Sequence, residues 1–187
     1  MKPKTQGSVG GARGDSRSRG LPAKAIRRWA LLALVLVLAQ AWALQPYAVD
    51  GASMEPTLHG GERLVVSPLP YAVHPARRGD VVVFHPPHDP GVAYVKRVVG
   101  LPGERVAIRG GAVVVDGVRL AEPYLRGGAT PCRGACEWAV PEGAVFVLGD
   151  HRGNSKDSRD FGPVPVDAVV GEVVLVAWPP TGLDVLP

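Results

Sequence analysis

Three stretches of this chain carry side chains that could do chemistry together. The first is Val49-Asp50-Gly51-Ala52-Ser53-Met54-Glu55-Pro56-Thr57-Leu58, an extended run that breaks into a turn at a single serine. Gly51 and Ala52 leave the backbone before Ser53 nearly bare, so another peptide can approach it, and Pro56 biases Glu55 away from helix. Such a hydroxyl is reachable as a nucleophile, although a serine-capped turn accounts for the same pattern. The second stretch is Tyr94-Val95-Lys96-Arg97-Val98-Val99. After residue 28 the only lysines are Lys96 and Lys156. The two-residue period of a strand sets Lys96 on one face with Tyr94 and Val98, and Arg97 on the other with Val95 and Val99. Loss of hydration among apolar neighbours lowers a lysine below its ordinary value of about 10.4, because the charged form suffers more, and a neutral lysine is a base. An edge lysine reaching out to water is the alternative.

The third stretch, Gly149 to Gly162, packs Asp150, His151, Arg152, Ser155, Asp157, Arg159 and Asp160 into one loop after an apolar run. An acid paired with Lys96 would raise its pKa. A working base therefore requires Asp150, Asp157 and Asp160 to pair with arginines instead, and Arg97, Arg152 and Arg159 are available. Together these groups suit acyl transfer. Ser53 attacks, Lys96 takes its proton, and water hydrolyses the acyl-enzyme. No acid is needed behind the lysine, in contrast to a Ser-His-Asp triad. The competing base is His151 with Asp150.

The elements that must position these groups are legible in outline. Residues 1–28 hold eight basic side chains against Asp15 alone, a net +7 that leaves −3 on the remainder. This tail is Gly/Ser-rich with almost no aromatic residues, so it is expected to be disordered and not to bind nucleic acid. From Trp29 to Leu44 the chain is uncharged and apolar. As a helix that run spans about 24 Å at roughly 1.5 Å per residue, and its flanks can extend it toward the roughly 30 Å hydrocarbon core. It is expected to anchor the chain in lipid, with the basic tail cytoplasmic and everything after Tyr47 outside. The rival is a cleaved signal, since Ala39-Gln40-Ala41 and Ala41-Trp42-Ala43 both read as small-x-small sites.

Residues 45–187 then form one extracytoplasmic domain with the pattern of an all-β fold, short Val-rich runs divided by Gly and Pro. Strands are expected near Arg63–Val66, Val81–Phe84, Val92–Val99, Arg105–Ile108, Ala112–Val115, Ala144–Leu148 and Glu172–Trp178, with turns at Arg109-Gly110-Gly111 and Asp116-Gly117. Runs such as Val81-Val82-Val83-Phe84 imply burial on both faces, hence a folded-over or partly closed antiparallel sheet. Residues 109–143 read as an inserted hairpin region carrying Cys132 and Cys136. In an oxidising compartment that pair is expected to form a disulfide, free thiols being the alternative. No metal is expected: His85 and His88 flank a Pro-Pro pair and lack a third local ligand. No cofactor is expected either.

The three stretches, in this order, resemble the bacterial type I signal peptidases. Gly51-Ala52-Ser53-Met54-Glu55-Pro56-Thr57-Leu58 is similar to that family's nucleophile box, Tyr94 to Glu104 to its lysine box, and Gly149 to Gly162 to its Gly-Asp-Asn-Arg…Ser-x-Asp-Ser-Arg box. Arg78-Gly79-Asp80-Val81-Val82-Val83-Phe84 matches the strand between, so the resemblance covers roughly residues 45–178. It implies Ser53 as nucleophile, Lys96 as general base and the Ser53 N–H as oxyanion donor. It implies also that Ser155 hydrogen-bonds and orients the lysine, and that Asp157 and Arg159, with Asp150, support the loop. A substrate strand would add along Val49, Asp50, Gly51, Ala52 and Tyr94, Val95. Small pockets there would take Ala-like residues at −1 and −3.

Two departures stand out. Gly51 occupies a position where some members have a hydroxyl donor, and His151 stands where the box usually has Asn. The cysteine loop resembles none of the boxes and is expected to stand clear of the catalytic centre. The partners implied are signal peptides of exported preproteins and membrane lipid, the chain being a monomer in the bacterial cell membrane. A self-cleaving Ser-Lys repressor would need a DNA-binding helix pair and no apolar run. An inactive binding relative would not be expected to retain Ser53, Lys96 and Ser155.

Overall fold

The computed structural model describes residues 24, 26–31, 34, 44–68, 71 and 74–179. The chain divides into two compact units, Met1–Leu38 and Ala39–Pro187. In the first, the described residues are helical and exposed, Ile26, Trp29, Leu31 and Leu34 among them. Among the described residues no helix is long and apolar enough to cross a membrane. Most of the expected 29–44 span and of the 1–28 tail lies outside them.

The second unit is mostly β. Its elements are β1 (Gln45–Ala48), β2 (Arg63–Ser67), β3 (Val81–Phe84), β4 (Tyr94–Gly100), β5 (Arg105–Arg109), β6 (Ala112–Val115), β7 (Val118–Arg119), β8 (Glu137–Ala139), β9 (Ala144–Leu148), a one-turn helix α1 (Ser158–Phe161), β10 (Val164–Pro165), a 3-10 turn (Val166–Ala168) and β11 (Val169–Trp178). Seven strands make one antiparallel sheet in the order β1-β2-β11-β3-β4-β9-β10. The long β11 pairs with β3 at its start and with β2 beyond, and register shifts after Val169, Val173 and Val176 bend it. Bulges of this kind curl a sheet, and here the edges β1 and β10 stay open.

β3 shows why the sheet is covered on both sides. All four of its residues are buried. Val81 and Val83 join Val49, Met54, Leu58 and Leu64 in one core, while Val82 and Phe84 join Val98, Val145 and Val147 in another. Each such side chain contributes roughly 1.5–3 kcal/mol by leaving water. A second sheet, β7-β6-β5-β8, is inserted in sequence between β4 and β9. It packs through Val106, Val113 and Val115 on Phe146 and Leu148 of β9.

Several boundaries differ from the sequence reading. β4 begins at Tyr94 rather than Val92, because the Val92 N–H closes a turn on Asp89 O and the ladder starts where Tyr94 faces Phe84. β11 begins at Val169, three residues before the expected Glu172, paired with Phe84 across an irregularity that hides the period of two. β1, β7, β8, β10 and α1 were not expected; each has four residues or fewer, and β1 follows the apolar run without a break.

Candidate active site

The nucleophile turn is held from behind. Val49, leaving β1, donates to Glu62 O at 2.8 Å and accepts from Gly61 N–H at 2.9 Å. Gly51 takes φ 92°, a conformation that side chains disfavour, and the turn closes through Glu55 N–H to Ala52 O at 3.2 Å. Met54 and Leu58 are buried beneath it, while Ser53 itself is half-buried. From the opposite side the His151 N–H donates to Ser53 O at 3.0 Å, and His151 Nδ1 lies 3.1 Å from Ala52 O. The Ser53 N–H donates to no group among the described residues.

Lys96 comes to that hydroxyl from the middle of the sheet. Its Nζ lies 2.7 Å from Ser53 Oγ and donates to Val95 O at 2.8 Å. The residue is 4% exposed, opposite Val82 in the ladder, with Nζ 5.4 Å from the centre of the Tyr94 ring. Burial pulls Lys96 down to about 8, against the attraction of Asp157 and Asp150, which act the other way. A neutral amine can donate to Val95 O and turn its lone pair to the serine hydroxyl.

The three acids of the 149–162 loop are engaged by arginines. Asp150 accepts from Arg97 Nε at 3.0 Å and Nη2 at 2.8 Å, and from Thr57 Oγ1 at 2.6 Å. Arg97 is itself buried, donating to Gly79 O and lying under the Tyr124 ring. Asp157 accepts from Arg159 Nε at 2.8 Å and Nη2 at 2.7 Å, accepts from the Gly149 N–H, and caps α1. Burial alone would push Asp157 up, but the Arg159 bonds and charge, the Gly149 N–H and the Ser155 hydroxyl hold it below the usual carboxylate range. Asp160 lies 3.5 Å from Arg133, and Arg152 turns away to Glu122 at 2.6 Å. Glu122, Tyr124 and Arg133 had no signal in the sequence, since each reaches the site from a distant segment, whereas Thr57 lies within the nucleophile stretch and only its partner, Asp150, is distant.

Other expected residues fall differently. Ser155 does not bond Lys96: its buried Oγ makes no hydrogen bond of ordinary geometry among the described residues, but it lies close enough to Asp157 to help hold that carboxyl down. The lysine gives its contacts to Ser53 and Val95, while Ser155 packs on Gly149, where a Cβ would collide with both Ser155 Oγ and Ser53 O. Val49, Asp50, Tyr94 and Val95 line a cleft with Ser53, Lys96 and Lys156, whereas Gly51 and Ala52 do not. His151 faces a backbone carbonyl rather than the serine, and Asp150 is bound to Arg97, so that pair does not form the alternative base.

Cys132 and Cys136 are joined in a disulfide. Their loop does not stand clear of the site. Arg133 within it donates to Ser155 O at 3.0 Å and Gly153 O at 3.1 Å, because its guanidinium can bridge two carbonyls that the loop leaves unpaired. His88 stacks on Phe161 and His85 faces Val92 O. Among the described residues no cluster of His, Cys, Asp or Glu could hold a metal.

The family model described as signal peptidase, peptidase S26, matches residues 23–178. A signal peptidase I of Bacillus caldolyticus is 40% identical over 167 residues, covering 82% of this chain and 91% of that protein. A probable signal peptidase I-1 of Synechocystis sp. is 39% identical over 157 residues, with 80% and 79% covered. A solved signal peptidase I from Enterococcus faecalis V583 is 34% identical, with 52% of this chain and 96% of that one covered and a TM-score of 0.45. With its serine and lysine already in contact, and with the family model and both sequence relatives covering most of its length, the chain belongs to the signal peptidase family, peptidase S26, and is a serine peptidase.

Proposed function

We propose that this chain is a membrane-anchored endopeptidase that removes signal peptides from exported preproteins, with Ser53 as nucleophile and neutral Lys96 as general base. The observation that carries the reading is the 2.7 Å contact between Ser53 Oγ and a lysine 4% exposed, with Asp150 and Asp157 bound to arginines. The preprotein strand adds to the free edge of β4 at Tyr94 and Val95, which β9 leaves unpaired because its ladder starts at Arg97, with Val49 and Asp50 across the cleft. Small side chains at −1 and −3 fit between those backbones.

As Ser53 Oγ bonds to the scissile carbonyl carbon, its proton passes to Lys96 Nζ, and the oxyanion forms against the Ser53 N–H. The C–N bond then breaks, Lys96 returns the proton to the leaving amine, and the signal peptide remains as an ester on Ser53. Water, losing a proton to Lys96, hydrolyses that ester and frees the serine. Asp150, Asp157 and Arg159 support the loop beside the pair, and Ser155 fills the space over Gly149. The run 29–44 is the anchor and the basic tail stays cytoplasmic, as a net +7 before an apolar segment favours.

Purified protein in detergent should cut a peptide with Ala at −1 and −3, and discriminate against Leu at either by about a hundredfold, since forcing a larger side chain between the β4 and Val49–Asp50 backbones costs a few kcal/mol. Equal cleavage of both peptides would defeat the assignment. N-terminal sequencing of the membrane-bound protein should find the tail retained. A mature start at Trp42 or Leu44 would identify residues 29–44 as a cleaved signal instead.

A further inference from the structure

The disulfide loop is tied at one end to the inserted sheet and at the other to the catalytic loop. Cys136 O accepts from the Ile108 N–H of β5 at 2.8 Å, and Pro131 O accepts from Arg159 Nη1 at 3.2 Å. Between these anchors the crosslink closes a loop of sequence separation 4, inside which Arg133 bridges to Ala135. The guanidinium forks onto Ser155 O and Gly153 O and lies 3.5 Å from Asp160.

The first part of the catalytic loop has its own fastenings, His151 to Ser53 O, Arg152 to Gly149 O and Gly149 to Asp157. Gly153 and Ser155 are fastened through their carbonyls to Arg133. Ser155 in turn presses on Gly149 beside Ser53 O, and its neighbour Lys156 lines the cleft.

We propose that Arg133, locked by the Cys132–Cys136 disulfide, is a positioning residue for the reaction: it clamps the Gly153–Ser155 backbone over Gly149 and so fixes the seat of the Ser53–Lys96 pair. This rests on the peptidase reading above. Releasing the clamp loosens Ser155 on Gly149 and the adjoining Lys156 wall of the cleft that Lys96 lines, and admits water there. The charged and titratable groups around that lysine are Asp157 and Asp150 behind it, Tyr94 beside it, and Asp50 and Lys156 across the cleft. With those charges in place, hydration returns the lysine toward its ordinary pKa.

The test uses full-length protein in detergent, an Ala-x-Ala peptide, and amide hydrogen exchange of residues 149–157. Arg133→Ala should lower kcat about tenfold with KM within twofold, since a displacement of about 1 Å at a reacting group costs up to roughly a hundredfold. It should also move the rising limb of the kcat/KM–pH profile upward and speed exchange at 153–157. Arg133→Lys should restore part of each, one ammonium replacing one arm of the fork. The Cys132→Ser, Cys136→Ser pair should give a smaller effect of the same kind, and the triple variant should be no worse than Arg133→Ala alone, because both act through one contact.

Unchanged exchange with kcat within twofold in Arg133→Ala overturns the proposal, as do arginine and cysteine effects that multiply. Should Arg133→Ala fail to fold, Arg133→Lys and the cysteine pair decide by the same readouts. The exchange arm needs no substrate. A wild type inactive on the peptide overturns the peptidase reading, and exchange alone then decides the clamp.

Discussion

Lys96→Arg is expected to be as inactive as Ser53→Ala, each losing a factor on the order of 10³ or more in kcat/KM, with the fold intact by circular dichroism. The substitution keeps the positive charge and much of the length. It removes the one property the mechanism uses, since a guanidinium with a pKa above about 12 cannot take the Ser53 proton at any working pH. Wild-type kcat/KM should rise with pH through a value near 8, because burial lowers Lys96 and only the neutral amine is a base. Nucleophile and base act as one unit, so Ser53→Ala with Lys96→Arg should be no worse than either alone. Lys96→Arg within tenfold of wild type would sink the pair as catalyst. His151 does not stand by as a replacement base, its Nδ1 lying against Ala52 O.

Asp157→Ala should cost about 3–5 kcal/mol of stability, because Asp157 and Arg159 are both fully buried as side chains and removing the acid leaves a guanidinium unpaired. The same change uncaps α1 and frees the Gly149 N–H. For a domain of this size the loss corresponds to a fall in Tm on the order of 10 °C or more. The pH dependence has a definite sign. Asp157 is held below its unfolded value of about 3.9, so its contribution is complete above that pH and disappears as pH falls through the lowered folded value. Thermal unfolding of wild type and variant should therefore differ fully at pH 7 and converge only in strong acid. A difference under about 2 °C at pH 7 would show the pair to be unimportant. In whatever activity remains, the kcat/KM limb should move down, since Asp157 raises Lys96; this is opposite to the shift expected for Arg133→Ala.

The sequence determined the chemistry where it is written locally. Ser53 after two small residues, Lys96 within an apolar strand, and the acid-arginine loop are short contiguous patterns, and Val-rich runs divided by Gly and Pro marked strands such as β3 and β6 with both their ends. The same locality explains what was missed. β1, β8 and β10 are too short to show a period, and they exist because neighbouring strands offer them hydrogen bonds.

Charge partners followed the same rule. That the acids must be taken by arginines could be argued from the lysine's needs, but which arginine takes which acid was decided by the fold: Arg97 for Asp150 across 53 residues, Arg133 for Asp160, and Arg152 sent to Glu122. Ser155 is the instructive case. The family resemblance implied its hydroxyl on the lysine; the fold sets it against Gly149 and near Asp157 instead. The cysteine loop shows the reverse, since nothing in Cys132 to Cys136 hints at catalysis, and only the curl of the sheets brings Arg133 onto the carbonyls of the catalytic loop. Sequence records which groups a chain owns. Their encounters depend on directional contacts between segments far apart along it, and those exist only once the sheets have packed.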